Sequence, residues 1–393
     1  MEKAKLLSLL RGQKVRIPDL RPIFHHWPSE RNLHYPALIP IFKNWFTNLS
    51  SDVNKQPSAR SASIALYTSS MWPTTEFDRL RNLAYFDFWL LVWDDEIGES
   101  EGSLTGSLSR SQAHRARTVE FVEQCLGLKN HGLATQDLHP FIASFAPFGQ
   151  ALRAAYTRGQ AQKFMDELVI YVNACEAEQL ARLDGRVMSL ESFRHLRRGT
   201  SAAGLWHALI EYVDRRSLAR REMLTVFKKR YSMQAAIPSE VASSSHMQII
   251  KRETNDIFSN VNDLFSLKKE LRNNSIDSLI PHTVAAGASP QEAIDHAVTD
   301  IRNSVMRFDD AAHLLLQEPH GQGSSHSSES SHVVGSRKQP AASFLTMKEN
   351  ALEAFLRACR QHCAGSLMWS LATPRYGLQD AARDADGAFV LSL

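Results

Sequence analysis

Asn262, Ser266 and Glu270 recur every four residues in the stretch SNVNDLFSLKKELR, residues 259–272. On a helix at 100° per residue they fall within an arc of about 80°, stacked over two turns of one face. All three offer oxygen, and Glu270 leans back toward Ser266 because helical side chains point toward the N-terminus. One carboxylate with two neutral oxygens suits a hard divalent cation such as Mg²⁺ that keeps water and phosphate oxygens in its shell. Lys269 shares that face and Lys268 does not, so a cation stands ready for the anion the metal would also hold. A solvated amphipathic face has the same composition, and this run alone does not separate the two.

A second cluster ends the very apolar stretch FDFWLLVWDDEIGES in consecutive acids, Asp94, Asp95 and Glu96. Carboxylates at the rim of a greasy helix are costly unless a cation or water meets them, and acids at a helix C-terminus oppose its dipole. A metal role follows, with a solvated terminus as the alternative. A third cluster is CAGSLMWSLATPRYGL: Pro374 ends a helix, so Arg375 and Tyr376 lie just beyond it, where a guanidinium fork and a phenol can reach a phosphate. Trp369 lies one to two turns deeper and can offer an aromatic face to a cation.

Helices must position these groups. Apolar residues recur at three- and four-residue spacing through 76–97, 112–126, 140–183, 190–214, 239–268, 290–316 and 344–371, and no convincing period-two strand interrupts them. The spacing predicts an all-α protein built as a single helical domain around an internal cavity. Ser189 with Glu191, and Pro238 with Ser239 and Glu240, provide helix starts. The Gly/Ser segment 98–111 reads as a linker or a mobile flap over a pocket mouth. Segment 317–343, rich in Ser, His and Gly, cannot bury a core and is expected to be disordered. The basic run 215–230 reads as a solvated amphipathic helix, with surface membrane binding as the lesser alternative.

Composition narrows the partners. With 393 residues, 43% of them apolar, the chain can bury a large core. Its 45 basic and 42 acidic side chains nearly cancel, which argues against nucleic acid or an anionic membrane as a target of the whole surface. Cys125, Cys175, Cys359 and Cys363 are too few and scattered for a disulfide framework. Cys359, His362 and Cys363 lack a second ligand pair at zinc spacing and read as core residues. The longest apolar run, residues 88–93, is far too short to span a bilayer, and the N-terminal stretch lacks a signal peptide's apolar segment. The expectation is a cytoplasmic protein without stable membrane insertion.

Together the three clusters resemble the class I terpene synthases, most closely the fungal-type sesquiterpene cyclases. DDEIG matches the family's aspartate-rich motif, NDLFSLKKE matches (N/D)Dxx(S/T)xxxE in full, and WSLATPRY carries the C-terminal Arg-Tyr pair. The early RIPDLRPIF also looks like the start of such enzymes. The resemblance spans residues 15–380. It implies a Mg²⁺-dependent lyase that ionises and cyclises farnesyl diphosphate, acting as a monomer or homodimer. Asp94, with Asp95, would hold two of three Mg²⁺ ions, and Asn262, Ser266 and Glu270 the third. Lys269, Arg375 and Tyr376 would contact the diphosphate. LRRGTSAAG looks like the family's diphosphate-sensing helix break, which nominates Arg197 with Thr200 and Ser201. Trp369 and Phe86 are the candidate cavity walls, although a plain core aromatic is the favoured reading of Phe86.

Two departures stand out. Gly98 occupies the position where many relatives carry a further acid and has no side chain to ligate with, leaving Glu99 as the nearest substitute. The interval from Arg197 to Asn262 is longer than the resemblance leads one to expect, and the excess is assigned to an insertion at about 215–236. A catalytically impaired isoprenoid-diphosphate binder and a chain-elongating prenyltransferase are therefore the alternatives, although the latter would carry a second DDxxD where the Asn/Ser/Glu triad stands.

Overall fold

The computed structural model describes residues 2–49, 57–98, 104–130, 138–185, 187–214, 237, 239–317 and 341–393. The expected insertion at 215–236 and Glu99 lie outside the described residues, as does most of segment 317–343. Of that segment Gln317 and residues 341–343 are helical.

The fold is mainly α. Helices follow in the order α1 (Lys3–Leu10), α2 (Tyr35–Leu49), α3 (Pro57–Met71), α4 (Phe77–Gly98), α5 (Leu108–Cys125), α6 (Pro140–Ala143), α7 (Ala146–Ala155) and α8 (Arg158–Asp184). Next come α9 (Leu190–Thr200), α10 (Ala203–Asp214), α11 (Ser239–Ala242), α12 (Ser245–Arg272), α13 (Leu279–Ala285), α14 (Pro290–Gln317) and α15 (Ala341–Ala372). The bundle grows outward from α12, which packs on α14 and α15, while α15 also packs on α3 and α3 on α4. On the other side α8 carries α9, α10 and α5.

Local chemistry sets the boundaries. The periodic stretch 140–183 is three helices, because Thr157 and Gln160 form a capping box that starts α8 afresh. Ser189 caps α9 by accepting from Ser192 N, and Ser244 caps α12 by accepting from Met247 N. Gly365 lets α15 lie against α3, since a Cβ there would collide with the Ser70 carbonyl.

A small antiparallel sheet adds to the expected all-α architecture. β1 (Lys14–Ile17) pairs with β3 (Phe389–Ser392) in the register Lys14↔Ser392 to Ile17↔Phe389, and β2 (Ala382–Arg383) pairs with the other edge of β3. Val15, Ile17, Phe389 and Leu391 turn inward. Arg16 also bridges to Asp384 and Asp386, so the two ends of the chain are tied by ladder and ion pairs. Strands this short give no periodicity to read.

Candidate active site

The inner face of the bundle encloses a cavity of about 150 Å³ whose rim and walls come from six regions. From α4 it takes Asp87, Leu90, Leu91 and Asp94, spaced i, i+3, i+4, i+7 and hence one helical face. From α12 come Phe258, Asn262, Ser266, Lys269 and Glu270. Tyr67 of α3, Tyr171 of α8, the α9–α10 junction, and the end of α15 with the turn beyond it complete the wall. Asp94 and Glu270 thus line one shared space.

Each polar group at this end is positioned by a neighbour. Tyr171 donates to Asp94 Oδ1 at 2.8 Å. Asp94 is exposed at the mouth, yet the protein packed around it and the Asp95 charge push its carboxyl up from the ordinary range, against the Tyr171 hydrogen bond. Ser266 donates to Glu270 Oε1 at 2.5 Å, while Glu270 Oε2 is buried without a hydrogen bond. Burial, and then the Asp263 charge, raise the Glu270 carboxyl to about 7. Asn262 accepts from Arg197 at 3.0 Å and donates to the Tyr376 hydroxyl at 2.8 Å. Arg375, in a short 3₁₀ turn capped by Thr373, donates to Asp95 Oδ1 at 2.8 Å.

The α9–α10 junction gives Arg197 its aim. α9 stops at Thr200, Ala202 adopts a left-handed φ of 60°, and α10 restarts at Ala203 with the Ser201 hydroxyl accepting from Ala203 N. A non-glycine residue there is strained and persists because packing over-determines it. Arg197 is fixed from behind by Asp263, whose fully buried carboxylate accepts from its guanidinium at 2.8 Å and from Leu279 N at 2.7 Å. Burial opposes the Arg197 charge, but Asp263 outweighs it and holds the pKa above the ordinary value.

The nominated residues divide accordingly. Asp94, Arg197, Thr200, Ser201, Asn262, Ser266, Lys269, Glu270, Trp369, Arg375 and Tyr376 all border the cavity. Phe86 does not: it is buried against Trp89, Phe148 and Phe164. Eight residues before Asp94, it is turned about 80° off the cavity face. Asp95 does not border the cavity either, because it is turned about 100° from Asp94 and is taken up by Arg375. Sequence reasoning missed the aromatic wall of Tyr67, Trp206 and Phe258, and it missed Asp87. A signal existed for Asp87, since seven residues before Asp94 is nearly the same helix face.

The donor set fits a hard divalent ion. Among the described residues no group of three or more His, Cys, Asp or Glu side chains converges; the α12 face instead offers Asn262 and Ser266 oxygens around the Glu270 carboxylate. The unpaired Glu270 Oε2 is an acceptor at the cavity wall, and a cation would satisfy it.

The family model "terpene synthase family 2, C-terminal metal binding" matches residues 86–307, from the Asp94 helix through the Asn262–Glu270 face. The chain belongs to terpene synthase family 2 and is a terpene cyclase. It is 29% identical to the sesquiterpene cyclase hepA of Aspergillus oryzae, over 98% of this chain and 94% of that protein. It is 21% identical to the terpene cyclase braA of Annulohypoxylon truncatum, over 98% and 91%. The fold matches the linalool/nerolidol synthase of Streptomyces clavuligerus, solved with 2-fluorogeranyl diphosphate, with a TM-score of 0.65, 16% identity and coverage of 88% and 97%. The synthase fold therefore persists where sequence has largely diverged. No described helix is long and apolar enough to cross a membrane.

Proposed function

We propose that this cyclase converts farnesyl diphosphate to a sesquiterpene hydrocarbon or alcohol with Mg²⁺, working as one domain in the cytoplasm. The observation that carries the reading is the shared cavity: an oxygen-rich rim of Asp94, Asn262, Ser266 and Glu270 beside Arg197, Lys269, Arg375 and Tyr376, above a wall of Tyr67, Trp206, Phe258 and Trp369. Similarity to the sesquiterpene cyclase hepA supports the chain length.

In this reading Asp94 holds metal at one rim and Asn262, Ser266 and Glu270 at the other. Mg²⁺ bound there, three ions being expected, would supply the positive charge that neutralises the diphosphate as the allylic C–O bond ionises. The protein supplies the rest. Arg197, Lys269, Arg375 and Tyr376 grip the diphosphate oxygens with preorganised donors. The Arg375–Asp95 and Arg197–Asn262 contacts hold these donors in place beforehand, and substrate would exchange with part of them. The aromatic faces then stabilise the carbocation and keep water from it until it loses a proton or is captured.

Purified protein incubated with farnesyl diphosphate and Mg²⁺ should yield a volatile C15 product, read by gas chromatography with mass spectrometry, and none after chelation. A longer diphosphate would instead indicate chain elongation, and binding without turnover an impaired relative. Either result would displace the reading.

A further inference from the structure

The cavity has a second acidic group far from its metal-facing rim. Asp87 lies two turns before Asp94 on the same face of α4, about 10 Å deeper along the helix axis. It is 1% exposed. Thr68 of α3 donates to Oδ2 at 2.5 Å, while Oδ1 makes no well-formed hydrogen bond and has only the Trp206 indole N–H near it. That N–H is also on the cavity wall, close enough to Asp87 to favour its charged form without forming a well-aligned hydrogen bond.

Burying a carboxyl at the floor of an aromatic pocket is costly, and a purely structural acceptor for Thr68 would be met more cheaply by a neutral amide. One oxygen is pinned by Thr68 and the other is engaged only loosely by the Trp206 N–H at the cavity wall, which is the arrangement of a group held ready to exchange a proton. The rim holds the diphosphate in the proposed function, so the hydrocarbon tail extends toward Asp87.

We propose that Asp87 is a catalytic base that takes the proton ending the cyclisation, and so selects which alkene is released. A C–H bond next to the cationic carbon breaks, its electron pair becomes the new C=C bond, and the proton passes to Asp87 Oδ1, giving a neutral acid. After the product leaves, the acid returns its proton to water. Burial raises this carboxyl to about 7, which makes it a stronger base than an ordinary carboxylate.

The inference rests on the proposed cyclase function, and the test reads the two separately: diphosphate release reports ionisation, product composition reports the final proton. Asp87→Asn keeps the shape and an acceptor for Thr68 but removes the base. It should release diphosphate within a few-fold of the unsubstituted enzyme while the share of the main product falls by about the 10²-fold that general-base help contributes, in favour of other alkenes or an alcohol. Unchanged product composition overturns the inference. So does loss of diphosphate release in a variant with an unchanged melting curve, since that would place Asp87 in ionisation. If Asp87→Asn does not fold, Thr68→Val decides: it leaves the carboxyl but removes the hydroxyl that aims it, and should move the composition the same way. No change there overturns the inference. If the unsubstituted enzyme itself releases no diphosphate, the cyclase reading fails and takes the inference with it.

Discussion

Asp263→Asn tests how the site is held together. The Asp263 carboxylate is fully buried and meets Arg197 at 2.8 Å. At an effective dielectric of about 20, two charges at that distance attract by about 6 kcal/mol. Asparagine keeps one acceptor, and flipping it to satisfy Arg197 turns its amide N–H₂ toward Leu279 N, which now donates to Oδ2. Much of the pair's attraction merely offsets desolvation, and removing one partner of a buried pair costs about 3–5 kcal/mol. Arg197 is still 14% open toward the cavity, so the lower end applies, about 3 kcal/mol. For a chain of 393 residues that is a fall of about 4 °C in a thermal-shift midpoint at fixed scan rate. Arg197 also loses its aim, and KM for the diphosphate substrate should rise about tenfold, a loss of about 1.4 kcal/mol. A midpoint within about 1 °C of the parent would refute the view that Asp263 anchors Arg197.

Other outcomes follow from the same geometry. Glu270→Gln should remove most Mg²⁺-dependent turnover, by about 10²-fold or more, because the one carboxylate of that triad is lost; activity assays across Mg²⁺ concentrations check this. A carboxyl raised to about 7 in the fold and ordinary when unfolded makes the folded state bind the extra proton. Metal-free stability should therefore fall as pH rises from about 4.5 to 7, and Mg²⁺ affinity should weaken as pH drops below 7, both readable by thermal shift in matched buffers. Arg375→Ala breaks the Arg375–Asp95 ion pair and removes a diphosphate donor, so KM should rise more than tenfold with little loss of stability. Gly365→Ala must push α15 from the Ser70 carbonyl, and a loss of about 1–3 kcal/mol should appear in denaturant titration.

What could be read beforehand was periodic or short-range. The α12 face was legible because Asn262, Ser266, Lys269 and Glu270 obey one helical spacing, and that spacing also places them on the cavity. Asp263 lies in the same motif, but only the packing of α9 and α13 shows that it grips Arg197 and Leu279 rather than the cavity. Helix α3 went unread because its run SARSASIALYTSSM mixes small and polar residues around few large apolar ones, although it supplies Tyr67 to the cavity wall and Thr68 to hold Asp87. Phe86 takes the core position its aromatic character favours; its nomination for the cavity wall treated eight residues as two whole turns, whereas seven comes closer and picks out Asp87.

The central claim is that cations bind between Asp94 on α4 and the Asn262–Ser266–Glu270 face of α12 around a diphosphate. Crystals soaked in Mn²⁺ and inorganic diphosphate, with anomalous scattering measured at the manganese edge, test it directly. The account predicts manganese peaks against Asp94 and against Asn262, Ser266 and Glu270, with diphosphate between them touching Arg197, Lys269, Arg375 and Tyr376. Peaks confined to surface carboxylates, with this cavity holding neither metal nor diphosphate, would contradict it.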